Sequence, residues 1–222
     1  MEDHAGYAGR LLADRYRLPP PPAEEYAYAE SLAWDTASGQ EVLVRQVPLP
    51  EVVDAEVVDE GRYAAVPGAP DGAGQPHGSS PRLFEQGVPP GRATRRPADP
   101  VVRRAVEAAV AASRIPDHPR LDQVFDVFVE GDGLWIVSEL VPAHSLAALL
   151  AERPLGAHRA AEIAADVLAA LRVVHAHGWA HRNVTARTVL ICEDGRALLT
   201  GLAVGAAEEA LCGYDPLPEP GP

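Results

Sequence analysis

Cysteine is nearly missing from these 222 residues. Cys192 and Cys212 form no CxxC pair and no disulfide framework, which fits a reducing, cytoplasmic setting. Methionine occurs once, as Met1, and aromatics make up 5% of the chain, so any core must be built mostly of alanine, valine and leucine. Basic residues are outnumbered, 19 against 32 acidic, for a net charge of −13. That balance excludes a nucleic-acid surface or an anionic-membrane surface, both of which need basic patches. No apolar run reaches the ~18 residues of a membrane-spanning helix. The acidic start Met1-Glu2-Asp3-His4 lacks the apolar stretch of a secretory signal.

Breakers, by contrast, are plentiful: 22 prolines and 19 glycines. They crowd into residues 51–100, which hold seven glycines and eight prolines without any period. Such a composition does not bury enough apolar surface to offset its chain entropy, so 60–98 is expected to be a disordered insertion. Pro19 to Pro22 rule out a strand or helix interior there. On either side the pattern is regular. A strand is expected over 25–34 and a turn over 35–40. A second strand follows over 41–47, with Val42, Val44 and Gln46 on one face. Asp99-Pro100 is a helix start, followed by Val102, Val106, Ala109 and Val110 at helical spacing. Strands over 123–129 and 134–139 flank a Gly131-Asp132-Gly133 turn. Ser145 caps a short helix, and a longer helix runs over 157–177 with Ile163, Val167, Leu171 and Val174 on one face. Two short strands follow, Val189 to Cys192 and Ala197 to Leu199, joined by Asp194-Gly195, a strong hairpin signal.

The order of these elements resembles the small lobe and the first third of the large lobe of a bacterial serine/threonine-type protein kinase. The catalytic-loop signature H-R-D-x-x-x-x-N corresponds to His181-Arg182-Asn183-Val184-Thr185-Ala186-Arg187-Thr188, and D-F-G to Gly201-Leu202-Ala203. The resemblance implies an α+β fold: a small antiparallel sheet lobe of five strands with one long helix, and a partial, mainly helical large lobe. It divides the chain into a flexible 1–10, a small lobe over 11–138, a partial large lobe over 139–211 and a proline-rich tail over 212–222.

The resemblance also assigns positions, and the chemistry at them is depleted. Where the family has its glycine-rich phosphate loop, this chain has Pro19 to Pro22, then Ala23-Glu24-Glu25-Tyr26. The strand lysine is matched by Arg45, and the helix glutamate that pairs with it by Glu107, so an Arg45–Glu107 ion pair is expected. Asn183 stands at the catalytic aspartate, and an amide does not accept the substrate proton. Thr185 stands at the assisting lysine. Thr188 and Gly201 stand at the two metal-binding positions, leaving a weak ligand and no ligand for magnesium. The pocket for an adenine edge would be framed by Glu139, Val141 and Leu190, which leaves room for ATP or a related nucleotide held without magnesium. Arg182 is expected to pack or cap.

The function this implies is that of a pseudokinase, a regulatory or scaffolding module that binds a protein partner. The runner-up is an atypical kinase or nucleotide transferase, with Glu24, Glu25 or Asp194 recruited as metal ligands. A third reading is a purely structural interaction domain. His175, His177 and His181 form a cluster of metal-ligand type, although His175 and His177 also suit a helix C-terminus. Cys192 is expected to be a buried small hydrophobe.

Overall fold

The computed structural model describes residues 9–20, 30–52, 93–94 and 99–218. The chain divides into two compact units, one formed by residues 1–50 and 94–222 and the other by 51–93. Most of the expected insertion over 60–98, the proline-rich positions 21 and 22, and Glu24 and Glu25 lie outside the described residues.

The first unit is an α+β arrangement built on a six-stranded antiparallel sheet. Its strands are Leu11–Leu12 (β1), Tyr16–Arg17 (β2), Glu30–Asp35 (β3) and Gln40–Pro48 (β4), with Val124–Glu130 (β7) and Gly133–Glu139 (β8) further along the chain. The sheet order is β1-β2-β3-β4-β8-β7. Five strands were expected, and the sixth is the short β1, hairpinned onto β2. Two further strands, Glu51–Val52 (β5) and Ala93–Thr94 (β6), form a separate two-stranded ribbon.

The β3–β4 turn is fixed by Asp35. Its carboxylate accepts from Arg15 Nε and Nη2 (2.7 and 2.8 Å), from the Ala37 N–H (2.9 Å) and from Ser38 Oγ (2.7 Å). Gly39 completes the turn at φ +71°. An aspartate that bonds its own following backbone while holding a bidentate arginine makes a tight, charge-assisted corner.

Helix α1 spans Pro100–Ala112, and the Asp99 carboxylate accepts from the Val101 N–H at 2.8 Å, as the Asp-Pro start demands. Its fully buried stripe is Val102, Ala105, Ala108, Ala109 and Ala112. Val106 and Val110, expected on the core face, lie at its margin and are only half-buried.

Helix α2 (Leu146–Glu152) is capped by Ser145, whose Oγ accepts from the Ala148 N–H at 3.1 Å. Helix α3 spans Ala157–Ala176 and packs Ile163 and Ala170 against the hairpin of Val189–Cys192 (β10) and Ala197–Leu199 (β11). A short strand, Ala143–Ser145 (β9), adds to the other edge of β10. Asp166 on α3 ties these pieces together: Oδ1 accepts from Arg120 Nε and Oδ2 from the Ala197 N–H, both at 2.8 Å.

One element has no counterpart in the sequence reading. After Gly201, at φ +88°, the chain forms a ten-residue helix, Leu202–Leu211 (α4). Leu202, Ala203, Val204, Ala206, Ala207 and Ala210 are buried against α1, β4 and β8. The seam between α1 and α4 is almost entirely alanine, which lets the two backbones approach closely. Among the described residues no helix is long and apolar enough to cross a membrane.

Candidate nucleotide cleft

A cleft of about 530 Å³ opens between β4, the end of β8, and β10. Leu43 and Arg45 line it from β4, Ser138 to Val141 from the end of β8, Leu190 from β10, and Arg187 and Thr200 from the loops flanking β10 and β11. The structure therefore brings together four of the expected pocket residues, Arg45, Glu139, Val141 and Leu190. It does not bring in Glu107.

Arg45 is paired with Glu30 instead of Glu107. Its Nε and Nη2 donate to Glu30 Oε2 at 3.2 and 2.8 Å. The two residues are direct cross-strand neighbours in the β3–β4 ladder, where opposite charges attract across the pair. Glu107 is exposed. At ~100° per residue it sits on the far side of α1 from the alanine stripe. The stripe faces α4, so the alanine seam turns Glu107 away from the sheet.

The loop between α3 and β10 carries the positions that correspond to the family's catalytic groups. The Asn183 N–H donates to the His181 carbonyl at 2.6 Å, across Arg182 at φ +51°. That is a three-residue turn with a strained centre. The Arg182 guanidinium is paired with the Glu209 carboxylate on α4, so it anchors a helix rather than merely capping the loop.

The Thr188 hydroxyl, by its position a weak magnesium ligand, is already committed. Oγ1 accepts from the Thr185 N–H at 2.8 Å and donates to the Asn183 carbonyl at 2.6 Å. The face it turns to Gly201 is its methyl: Cγ2 lies 3.6 Å from where a Gly201 Cβ would stand. Arg45 Nη1 lies 3.5 Å from that same point, and Asn183 Nδ2 lies 4.0 Å from it. Arg45, Asn183 and Thr188 thus converge on Gly201, and none of the three contributes a carboxylate. Thr185 is exposed and spends its hydroxyl on the loop backbone, accepting from the Arg187 N–H at 3.2 Å.

Asp122, just before β7, was not foreseen. It lines the cleft, and its Oδ2 accepts from the Gly201 N–H at 3.4 Å. Burial pushes its carboxyl up to about 6, against the pull of the Gly201 N–H and the positive charge of Arg45. It lies in the irregular segment after Pro119, and no local pattern marks it. Asp122 also borders a second cavity of about 350 Å³, shared with Cys192 and the loop after α1.

The histidine cluster separates. His181 is 3% exposed, and neither ring nitrogen has a hydrogen-bond partner. Burial pushes its pKa down to about 4. His177 Nδ1 lies 2.9 Å from the Val173 carbonyl. No group of three metal-ligating side chains is assembled among the described residues. Asp194, the runner-up metal ligand, is paired with Arg196 inside the hairpin turn and accepts its N–H at 3.0 Å. Cys192 is buried at the end of β10, as expected.

Comparison with known proteins fits this geometry. The profile of the protein tyrosine and serine/threonine kinase family matches residues 97–207. Serine/threonine-protein kinase PAK 4 of Homo sapiens is 29% identical over 91 residues, covering 41% of this chain and 15% of that protein. PAK 4 of Mus musculus is 29% identical over 83 residues, covering 37% of this chain and 14% of that protein. Serine/threonine-protein kinase PAK mbt of Drosophila melanogaster is 26% identical over 83 residues, covering 37% and 13%. The chain thus spans about one seventh of the length of these relatives. With the matched segment running from α1 into α4, and the sheet and cleft laid out as above, this chain belongs to the protein kinase superfamily.

Proposed function

We propose that this chain is a pseudokinase: a kinase-fold module that holds a ligand in its cleft and works through regulatory or scaffolding contacts with a protein partner, without efficient phosphoryl transfer. The observation that carries this reading is the convergence on Gly201. Phosphoryl transfer by this superfamily relies on magnesium held near that point and on a base at the loop. Here the base position is the amide Asn183. The hydroxyl of Thr188 is bonded into the loop, and Gly201 has no side chain. Positioned general acid–base groups contribute on the order of 10²–10⁴-fold, so losing the base together with the metal ligands removes most of the catalytic machinery.

One observation favours the runner-up, an atypical transferase. Asp122 is a carboxylate beside Gly201, and its raised pKa suits proton transfer near neutrality. It is a single group already bonded to the Gly201 N–H, which is why this reading stands second. The deciding experiment is a radiolabel assay with γ-labelled ATP and magnesium, scoring both self-labelling and generic serine/threonine acceptor proteins. No transfer above a heat-inactivated control is expected. Magnesium-dependent transfer that disappears in Arg45→Ala overturns the proposal, and its loss in Asp122→Asn as well would establish the transferase.

A further inference from the structure

We infer that the second cavity, enclosed by the loop after α1, the start of β7, the end of β8, the β10–β11 hairpin and the start of α4, binds a compact organic cation, an amine or amidine on an apolar body, with Asp122 as its anchor. The inference goes beyond the pseudokinase reading and does not depend on it.

A carboxylate taken out of water calls for a counter-charge or for several donors. Asp122 has neither. Desolvation is the largest influence on its carboxyl. Only Oδ2 takes a hydrogen bond from another described residue, from the Gly201 N–H at a long 3.4 Å. It forms no ion pair among the described residues. Arg45 attracts it, but that guanidinium is bonded to Glu30. Glu139 borders the same cavity, and its negative charge repels that of Asp122. Glu139 Oε1 accepts from the Gln123 N–H at 3.0 Å, and it too lacks a cationic partner among the described residues. Two carboxylates thus border one cavity without a counter-charge, and a cation bound there relieves both.

The cation already on the lining does not serve them. Arg196 Nε is paired with Asp194 in the hairpin turn, and its Nη1 donates to the Pro119 carbonyl at 3.4 Å. What the lining offers a ligand is therefore acceptor oxygen and negative charge, which repels a phosphate or carboxylate. Ile115, Val124, Leu198 and Leu202 supply apolar wall for the rest of the molecule. The volume, about 350 Å³, lies at the small end of the ~300–1,000 Å³ usual for small-molecule sites, so the body is about the size of one ring.

Calorimetric titration of the folded chain with benzamidine, benzamide and benzoate tests this, because the three share one ring and differ in charge. Benzamidine is expected to bind at least about tenfold more tightly than benzamide, and benzoate not to bind. Asp122→Asn should abolish that preference, leaving benzamidine and benzamide equal, and Glu139→Gln should weaken benzamidine by a smaller factor. Circular dichroism checks that each variant is folded. Methyl spectra locate the ligand. The chain has four isoleucines, of which Ile115 borders this cavity and none borders the nucleotide cleft. Saturating benzamidine should shift the Ile115 δ1 methyl resonance. Should Asp122→Asn fail to fold, the parent's preference for the cation and the Ile115 shift still decide. The proposal is overturned if benzamidine binds no more tightly than benzamide, if folded Asp122→Asn binds it like the parent, if the Ile115 methyl does not move, or if none of the three probes binds. Phosphoryl transfer, found or not found, leaves each of these results unchanged, so this proposal and the pseudokinase reading fail separately.

Discussion

Arg182 and Glu209 form an ion pair that joins the centre of a strained turn to the last turn of a helix. Both groups are partly open to water, at 51% and 25% exposure, so the pair is screened. The expected coupling energy in a double-mutant cycle of Arg182→Ala and Glu209→Ala is about 0.5–1 kcal/mol, shrinking as salt is raised. Denaturant midpoints at low and high sodium chloride measure it. A coupling that does not fall with salt would mean the pair acts through packing.

Restoring a carboxylate at Gly201 should not restore chemistry. In Gly201→Asp the new side chain starts 3.5 Å from Arg45 Nη1 and pairs with it, in competition with Glu30. The residue must also adopt φ +88°, which costs an aspartate roughly 1 kcal/mol or more. The variant is expected to be less stable by about that amount and to show no magnesium-dependent thermal shift with ATP. A magnesium-dependent shift would show that the missing carboxylate alone had disabled the site.

The alanine seam makes a sharper test of α4. Ala207 is fully buried between α1 and the rest of the core. Ala207→Leu inserts three carbons where there is no space, and should destabilise the chain by about 1–3 kcal/mol. Glu208→Leu, on the exposed side of the same helix, should stay within about 0.5 kcal/mol. Equal effects from the two would mean that α4 does not pack on α1 in solution.

Two groups should give opposing responses to acid. Burial keeps His181 neutral, with its pKa moved from 6.5 down to about 4. The unfolded chain therefore binds a proton across that window that the folded chain does not, and stability falls as the pH drops from 6.5. Asp122 moves from 3.8 up to about 6, so the folded chain takes up its proton first and stability rises as the pH drops from 6. The parent should change little between pH 6 and 4.5, and Asp122→Asn should lose stability steadily over the same range. Urea midpoints at half-unit steps decide it. A flat profile for Asp122→Asn would contradict a buried neutral His181. Asp35, held well below the usual range by the Arg15 guanidinium, adds its own loss only at pH values below about 3.8.

Elements with a local cause were legible in the sequence. Asp99 before Pro100, Ser145 before an apolar run, and Asp194-Gly195 between two short apolar strands each fix a backbone feature within a few residues. Groups whose roles depend on packing were not. Helix α4 was missed because an alanine-rich stretch has no strong apolar period, and its helicity comes from burial against α1. The same packing turns Glu107 outward, so the expected partner of Arg45 was wrong. Glu30 could have been found by counting back from the Asp35–Gln40 turn, since the hairpin register places it opposite Arg45. Asp122 had no such signal, because it meets Gly201 only through the tertiary fold.

The ring of bonds among Thr185, Thr188 and Asn183 has a kinetic consequence. A loop whose donors and acceptors already satisfy one another holds its shape before anything arrives. This loop carries Arg187, which lines the cleft, so a ligand that reaches Arg187 requires no ordering step in the loop behind it. Amide exchange at Thr185 and Thr188 should then run at the same rate in the free and occupied protein, with any slowing confined to residues on the opposite wall.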